Sequence, residues 1–123
     1  GLGFGFEGVK NLAAVVGQPN AAEILYTGRR FTADEALAMG LVNRVVPDDE
    51  LESTVRELAE QIAENAPLTL RSLNFSLRED AKEPADRDAA RIQELVDACM
   101  ASEDYKEGRK AFMEKRKAVF KGR

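Results

Sequence analysis

Three groups of residues have types and spacings that can do chemistry. Gly3-Phe4-Gly5-Phe6-Glu7-Gly8 fits the pattern G-x-G-x-x-G, in which backbone N–H groups at a helix start cradle a pyrophosphate. Glu7 lies in that apolar, glycine-rich stretch between Phe6 and Gly8. It is the one carboxylate whose surroundings predict a raised pKa, and hence the one candidate acid or base. Phe112 and Lys115 are three apart on a predicted C-terminal helix and so share a face. An aromatic ring beside an ammonium can stack a purine and pair with its phosphate.

Each group also has a plainer use. Glycines before a helix permit tight turns and close packing, Phe112 can serve a core, and Lys115 can simply face water. The dinucleotide pattern is weak on its own terms. Ile24-Leu25-Tyr26-Thr27 followed by Arg29-Arg30 imitates a second strand with a basic pair for a 2′-phosphate, as in an NADP site. Only two residues precede Gly3, however, too few for the first strand that the pattern requires. Glu7 would also aim a negative charge at the pyrophosphate. Glu57, Glu60 and Glu64, at helical spacing, read as a solvated stripe.

Residue types that are missing exclude more. With no His in 123 residues, Ser-His-Asp and Cys-His nucleophilic sites, imidazole acid–base chemistry and His-ligated metals are excluded. Cys99 is the only cysteine, so neither an internal disulfide nor a thiolate zinc site can form, and it is expected to pack as a small buried hydrophobe. No metal site is expected. Acids and bases must come from Asp, Glu, Lys or Tyr. The 44% apolar and 33% charged composition is that of one soluble, cytoplasmic-type domain, and no run of residues is apolar enough to span a membrane. The sequence begins at Gly1 and its first Met is Met39, which reads as a piece of a longer product.

A net charge of −4 hides an asymmetry. Residues 1–104 hold 10 basic and 20 acidic side chains, whereas residues 105–123 hold 8 basic and 2 acidic. A basic end on an acidic body points to an anionic partner for that end, or to a last helical turn that offsets its own dipole. Charge density also shifts at Pro47: residues 1–46 carry 8 charged side chains and the rest 32, so the first third is expected to be more deeply buried.

The elements that must position these groups are mostly helical. Val9, Leu12, Ala13 and Val16 follow i, i+3, i+4, i+7 and predict a helix closed by Gly17, followed by a short one over 21–26 stopped by Gly28. Thr32 and Glu35 have capping-box spacing ahead of a brief helix that Gly40 ends. Leu41 to Val46, β-branched and bounded by Gly40 and Pro47, predicts a short strand or extended segment. Leu51, Val55, Leu58 and Ile62 mark one apolar helix face. Leu70, Leu73 and Leu77, after Pro67, mark a second. A polar linker containing Pro84 leads to a helix over 86–100, with Ile92, Leu95, Val96 and Cys99 inward. Ser102 then caps a last helix running to about Ala118, in which Gly108 suggests a close helix–helix contact.

Two strings go beyond patterning. Tyr26-Thr27-Gly28-Arg29-Arg30-Phe31-Thr32-Ala33-Asp34-Glu35-Ala36, continuing through Met39-Gly40-Leu41-Val42-Asn43-Arg44-Val45-Val46-Pro47, resembles the enoyl-CoA hydratase/isomerase (crotonase) superfamily. The close, Tyr105-Lys106-Glu107-Gly108-Arg109-Lys110-Ala111-Phe112-Met113-Glu114-Lys115-Arg116, is similar to that family's ending. The resemblance covers essentially the whole chain and lies in the family's C-terminal part.

It implies a mostly α fold: the C-terminal helical portion of a crotonase (ββα spiral) fold with one short extended segment. Residues 1–47 would end the crotonase core, and residues 48–123 would be the helical oligomerisation region, trimeric or hexameric in the parent protein. The resemblance further implies an acyl-CoA thioester as substrate, with CoA entering only as part of it and no separate cofactor, membrane or nucleic-acid partner. The adenine and phosphate of CoA would meet Phe112 and Lys115. The implied reaction is water addition to a trans-2-enoyl-CoA, with double-bond isomerisation next. The family's oxyanion hole and catalytic acids would lie upstream of Gly1, leaving this chain inactive alone. Where many hydratases read PGAGGTQRL, this chain has Phe4, Glu7 and Val9-Lys10-Asn11, a departure that bears on hydratase activity in particular. The reading from another class is a non-catalytic helical module that oligomerises or binds a ligand through its basic end.

Overall fold

A computed structural model describes Gly1 and residues 3–123; Leu2 of the glycine-rich opening lies outside the described residues. Among the described residues six α-helices follow in order: α1 (Phe6–Thr27), α2 (Ala33–Ala38), α3 (Leu51–Ala63), α4 (Pro67–Asp80), α5 (Ala89–Ala101) and α6 (Glu103–Met113). Single 3-10 turns occupy Asp48–Glu50 and Pro84–Asp86. The chain divides into two compact units, Gly1–Leu51 and Glu52–Arg123. The fold is the mostly helical one expected, but no strand forms among the described residues. Leu41 to Val46 bends and then runs irregularly, because a β-rich sequence with no neighbouring strand has nowhere to send its backbone hydrogen bonds.

In the first unit, α1 is two helical arms joined at Gly17, whose φ of 77° and ψ of 159° interrupt the helix just before Pro19. The expected stop is therefore real, although the second arm resumes at once. Asn20 Nδ2 donates to the Val16 carbonyl across the break at 2.9 Å. Val16 and Ala21, on either side of it, are the buried apolar residues among those described in this unit. The capping box forms as predicted: Glu35 N–H donates to Thr32 Oγ1 at 3.2 Å, and Thr32 N–H donates to Glu35 Oε2 at 2.8 Å. Gly40 ends the helix with φ 75°, its N–H on the Leu37 carbonyl and the Leu41 N–H on the Ala36 carbonyl, a paired arrangement that only a left-handed residue allows.

Arg29 ties α1 to α2. Its Nη2 lies 2.9 Å from Glu23 Oε1 and 2.9 Å from Glu35 Oε1, and its guanidinium stacks 3.7 Å from the centroid of Phe31. The Arg29 guanidinium and then the Thr32 N–H hold the Glu35 carboxyl down at about 2. Within this chain by itself Phe4, Phe6, Val15, Tyr26, Leu37, Leu41, Val42 and Val45 are exposed, so the first third is not buried by the described residues themselves.

In the second unit, α4 packs against α5 and α5 meets α6. Pro67 takes the first position of α4, where its missing N–H costs nothing. Glu79, buried near the end of α4, accepts the Asp88 N–H at 2.8 Å and Lys82 Nζ at 2.6 Å, fastening the turn into α5. The Asp88 N–H and then Lys82 keep its carboxyl below the usual range. Asp88 in turn caps α5 through the Arg91 N–H at 2.9 Å, so that helix starts at Ala89 rather than at Asp86. Ser102 caps α6 as predicted, accepting from the Tyr105 N–H at 3.0 Å. Leu95 and Ala111 are the buried apolar side chains here. The stripe Leu51, Val55, Leu58 and Ile62 of α3 stays exposed, as do Leu73 and Leu77 of α4.

Candidate functional site

The last helix is shorter than its sequence pattern predicts, and its ending carries the candidate residues Phe112 and Lys115. α6 stops at Met113. Lys115 then adopts φ 53°, the one non-glycine positive φ among the described residues. Its N–H donates to the Phe112 carbonyl at 3.2 Å, and the Arg116 N–H reaches back to the Ala111 carbonyl at 3.0 Å. This is the paired C-terminal closure usually reserved for glycine, here carrying a lysine. Phe112 and Lys115 therefore do not share a helix face. Phe112 projects from the last turn of α6, 82% exposed, and Lys115 sits exposed on the left-handed residue that reverses the chain.

Beyond that turn, residues 116–123 return along α6 as an extended strap. The Glu107 carboxylate receives both Nη groups of Arg116, at 2.6 and 2.9 Å, and the Val119 N–H at 3.0 Å. Arg116, then the Val119 N–H, hold the Glu107 carboxyl at about 2, and Glu107, then Glu114, push the Arg116 guanidinium up. Asp104, only 3% exposed, accepts the N–H groups of Lys121 and Gly122 at 2.7 Å each, while its own N–H donates to the Arg123 carbonyl at 3.1 Å. Lys117 pairs with Glu64 near the end of α3. The basic end is thus a folded strap rather than a free tail.

Gly108 faces Phe120 of this strap instead of another helix. A Cβ there would lie 3.5 Å from the ring, in ordinary contact. Cys99 is half-buried, not buried, and lines an apolar pocket of about 400 Å³ with Val96, Met100, Tyr105 and Phe120.

The other candidates fare differently. Glu7 is exposed in the first turn of α1, where a carboxylate complements the helix N-terminus. The dinucleotide reading fails on geometry. Ile24 to Thr27 are helical, Arg29 is committed to Glu23 and Glu35, and a Cβ at Gly8 would meet the Phe4 ring at 2.7 Å. Gly8 therefore accommodates the chain's own aromatic ring. Among the described residues no group of three or more Cys, Asp or Glu is placed to hold a metal, and no helix is long and apolar enough to cross a membrane.

The enoyl-CoA hydratase/isomerase family model matches residues 1–123. The chain belongs to that family. It is 37% identical over 119 residues to a short-chain-enoyl-CoA hydratase of Clostridium acetobutylicum, covering 95% of this chain and 46% of the relative. It is 38% identical over 122 residues to a crotonyl-CoA hydratase of Syntrophomonas wolfei, covering 98% and 47%. The crystal structure of an enoyl-CoA hydratase/isomerase family protein from Hyphomonas neptunium superimposes with a TM-score of 0.86 at 34% identity, over 99% of this chain and 46% of that one. The chain thus spans less than half the length of the relatives it matches, and it is the C-terminal, helical part of them that it resembles.

Within this enoyl-CoA hydratase/isomerase chain, the most telling string turns out to be structural. In Thr27 to Ala36, Gly28 takes the left-handed cap of α1, Arg29 clamps two carboxylates over Phe31, and Thr32 with Glu35 starts α2. Glu107, Arg116 and Asp104 were not singled out by sequence reasoning as functional. Glu107 and Arg116 are nine apart, which on a continuous helix puts them on opposite sides. Only the reversal at Lys115 brings them together.

Proposed function

We propose that this chain contributes the CoA-recognition and self-association part of an acyl-CoA-processing enzyme, with water addition to a trans-2-enoyl-CoA as the reaction of the whole. The family membership and the names of the hydratase relatives support the substrate class. The observation that carries the site is the fully presented ring of Phe112 beside the cationic reversal at Lys115. A flat aromatic face takes the adenine and an ammonium takes a phosphate of the CoA nucleotide. The exposed apolar stripe of α3 and the exposed aliphatic side chains of residues 1–46 support coverage by neighbouring copies and by the rest of the enzyme's core. The backbone donors that hold the thioester oxyanion, and the carboxylates that act on the enoyl group, belong to that core rather than to these helices.

Calorimetric titration of the chain with CoA tests the site. Phe112→Ala and Lys115→Ala should each weaken binding by about fivefold or more. Affinity unchanged in both variants would remove the assignment. Crotonyl-CoA should not be hydrated by the chain alone; turnover above background would place catalytic groups within it.

A further inference from the structure

Lys115 is held in a conformation that costs a lysine free energy and a glycine none. The left-handed region brings Cβ against the backbone, and non-glycine residues persist there only where their surroundings over-determine them. Two independent sets of bonds do so. On the helix side, the Lys115 and Arg116 N–H groups are tied to the Phe112 and Ala111 carbonyls, and Ala111 is buried. On the strap side, Arg116 is gripped through both Nη groups by Glu107, and its Nε donates to Glu114 Oε2 at 2.7 Å. The Val119 N–H then fixes the outgoing strap to the same Glu107 carboxylate. Merely ending α6 would need none of this, since glycine closes the same turn without strain. The clamp also pairs Arg116 with two carboxylates, while Lys115 stands exposed on the turn.

From this arrangement we infer that Glu107 is a positioning residue for CoA recognition: through Arg116 it fixes the turn that aims the Lys115 ammonium at the 3′-phosphate of the CoA nucleotide. The inference rests on the CoA-site reading of Phe112 and Lys115 above. Glu107 touches no ligand itself. Its contribution is order, because an ammonium already aimed loses less freedom on binding than one on a mobile turn. Glu107→Gln keeps the size and one acceptor for Val119 but loses the charged two-pronged grip. Arg116→Lys keeps the charge and cannot form that grip.

The test uses the full chain and two probes, CoA and 3′-dephospho-CoA, titrated against unsubstituted protein, Lys115→Ala, Glu107→Gln and Arg116→Lys. Circular dichroism checks that each variant is folded. The unsubstituted chain should prefer CoA, and Lys115→Ala should abolish that preference. Glu107→Gln and Arg116→Lys should each reduce it by about fivefold, with Lys115 still present. General loosening of the fold would weaken both probes equally and leave their ratio intact, so an intact ratio overturns the positioning role. Lys115→Gly adds an independent check: it should raise thermal stability by relieving the strain while losing the preference for CoA. Absence of CoA binding, or a preference that Lys115→Ala leaves intact, would overturn the underlying site reading and this inference with it. A preference removed by Lys115→Ala but kept by Glu107→Gln and Arg116→Lys would overturn the inference alone.

Discussion

Asp104 offers the sharpest handle on whether the basic end is a strap. Its two carboxylate oxygens each serve one backbone donor, the N–H of Lys121 and that of Gly122, at 2.7 Å, and the side chain is buried in the first turn of α6. Asp104→Asn preserves the shape but supplies one acceptor and one amide donor, so one of the two N–H groups then faces another N–H. Hydrogen bonds to a charged group are worth about 1.5–3 kcal/mol each, and losing one here should weaken closure of the strap by about 2–3 kcal/mol. The opening is local, since the packing of α4 on α5 is untouched. Amide exchange at Lys121 and Gly122 should therefore accelerate by about 30- to 150-fold, while amides in the middle of α5 exchange as before. The assay is hydrogen–deuterium exchange followed by NMR on both proteins. Rates at Lys121 and Gly122 that match an unstructured peptide in the unsubstituted chain, or that Asp104→Asn leaves unchanged, would refute the strap.

Gly108→Ala should stabilise the chain by about 0.5–1 kcal/mol in urea unfolding, because a mid-helix glycine is replaced and the new methyl meets Phe120 only at ordinary distance. A loss of stability would mean the strap packs more tightly than described. Thr32→Ala should cost about 1 kcal/mol by removing the cap of α2, read by the same assay as a lower midpoint with an unchanged slope. Glu35 and Glu107 both titrate near 2 in the folded chain against 4.5 when unperturbed. Between those values the unfolded chain binds more protons, so acid favours unfolding. The stabilisation should be complete above about pH 5 and lost progressively toward pH 2, and thermal melts of Glu35→Gln and Glu107→Gln should fall less steeply over that window than the unsubstituted chain.

What was legible in the sequence was local. Thr32 with Glu35, Gly40, Pro67 and Ser102 mark helix ends through bonds to residues a few positions away, and the structure forms each of them. The breaking effect of Gly17 was equally readable, because a φ of 77° does not belong in a helix. Of the two readings for Leu41 to Val46, strand or extended segment, the strand does not form, since β-branched residues report compatibility with a sheet, and a sheet needs a partner that the described residues do not provide. The length of α6 was misread for a related reason. Lys115 to Ala118 are all acceptable helix formers, and nothing local announces that Glu107 and Asp104 offer acceptors for a chain that turns back. Phe112 and Lys115 were singled out by type and resemblance, but the left-handed reversal at Lys115 goes with contacts of residues 116–123 to α6 that no local pattern announces. Exposed leucines on α3 follow the same logic in reverse: the period-3.6 stripe shows which face seeks cover without naming the cover.

The nucleotide end of CoA is proposed to meet these helices at the turn that follows α6. The direct measurement is an NMR titration of the isotopically labelled chain with adenosine 3′,5′-bisphosphate, the nucleotide portion of CoA without its acyl arm. The account predicts saturable shifts centred on Phe112 to Arg116, reduced in Lys115→Ala. Shifts centred instead on Gly3 to Gly8, or no saturable change at the α6 turn, would contradict it.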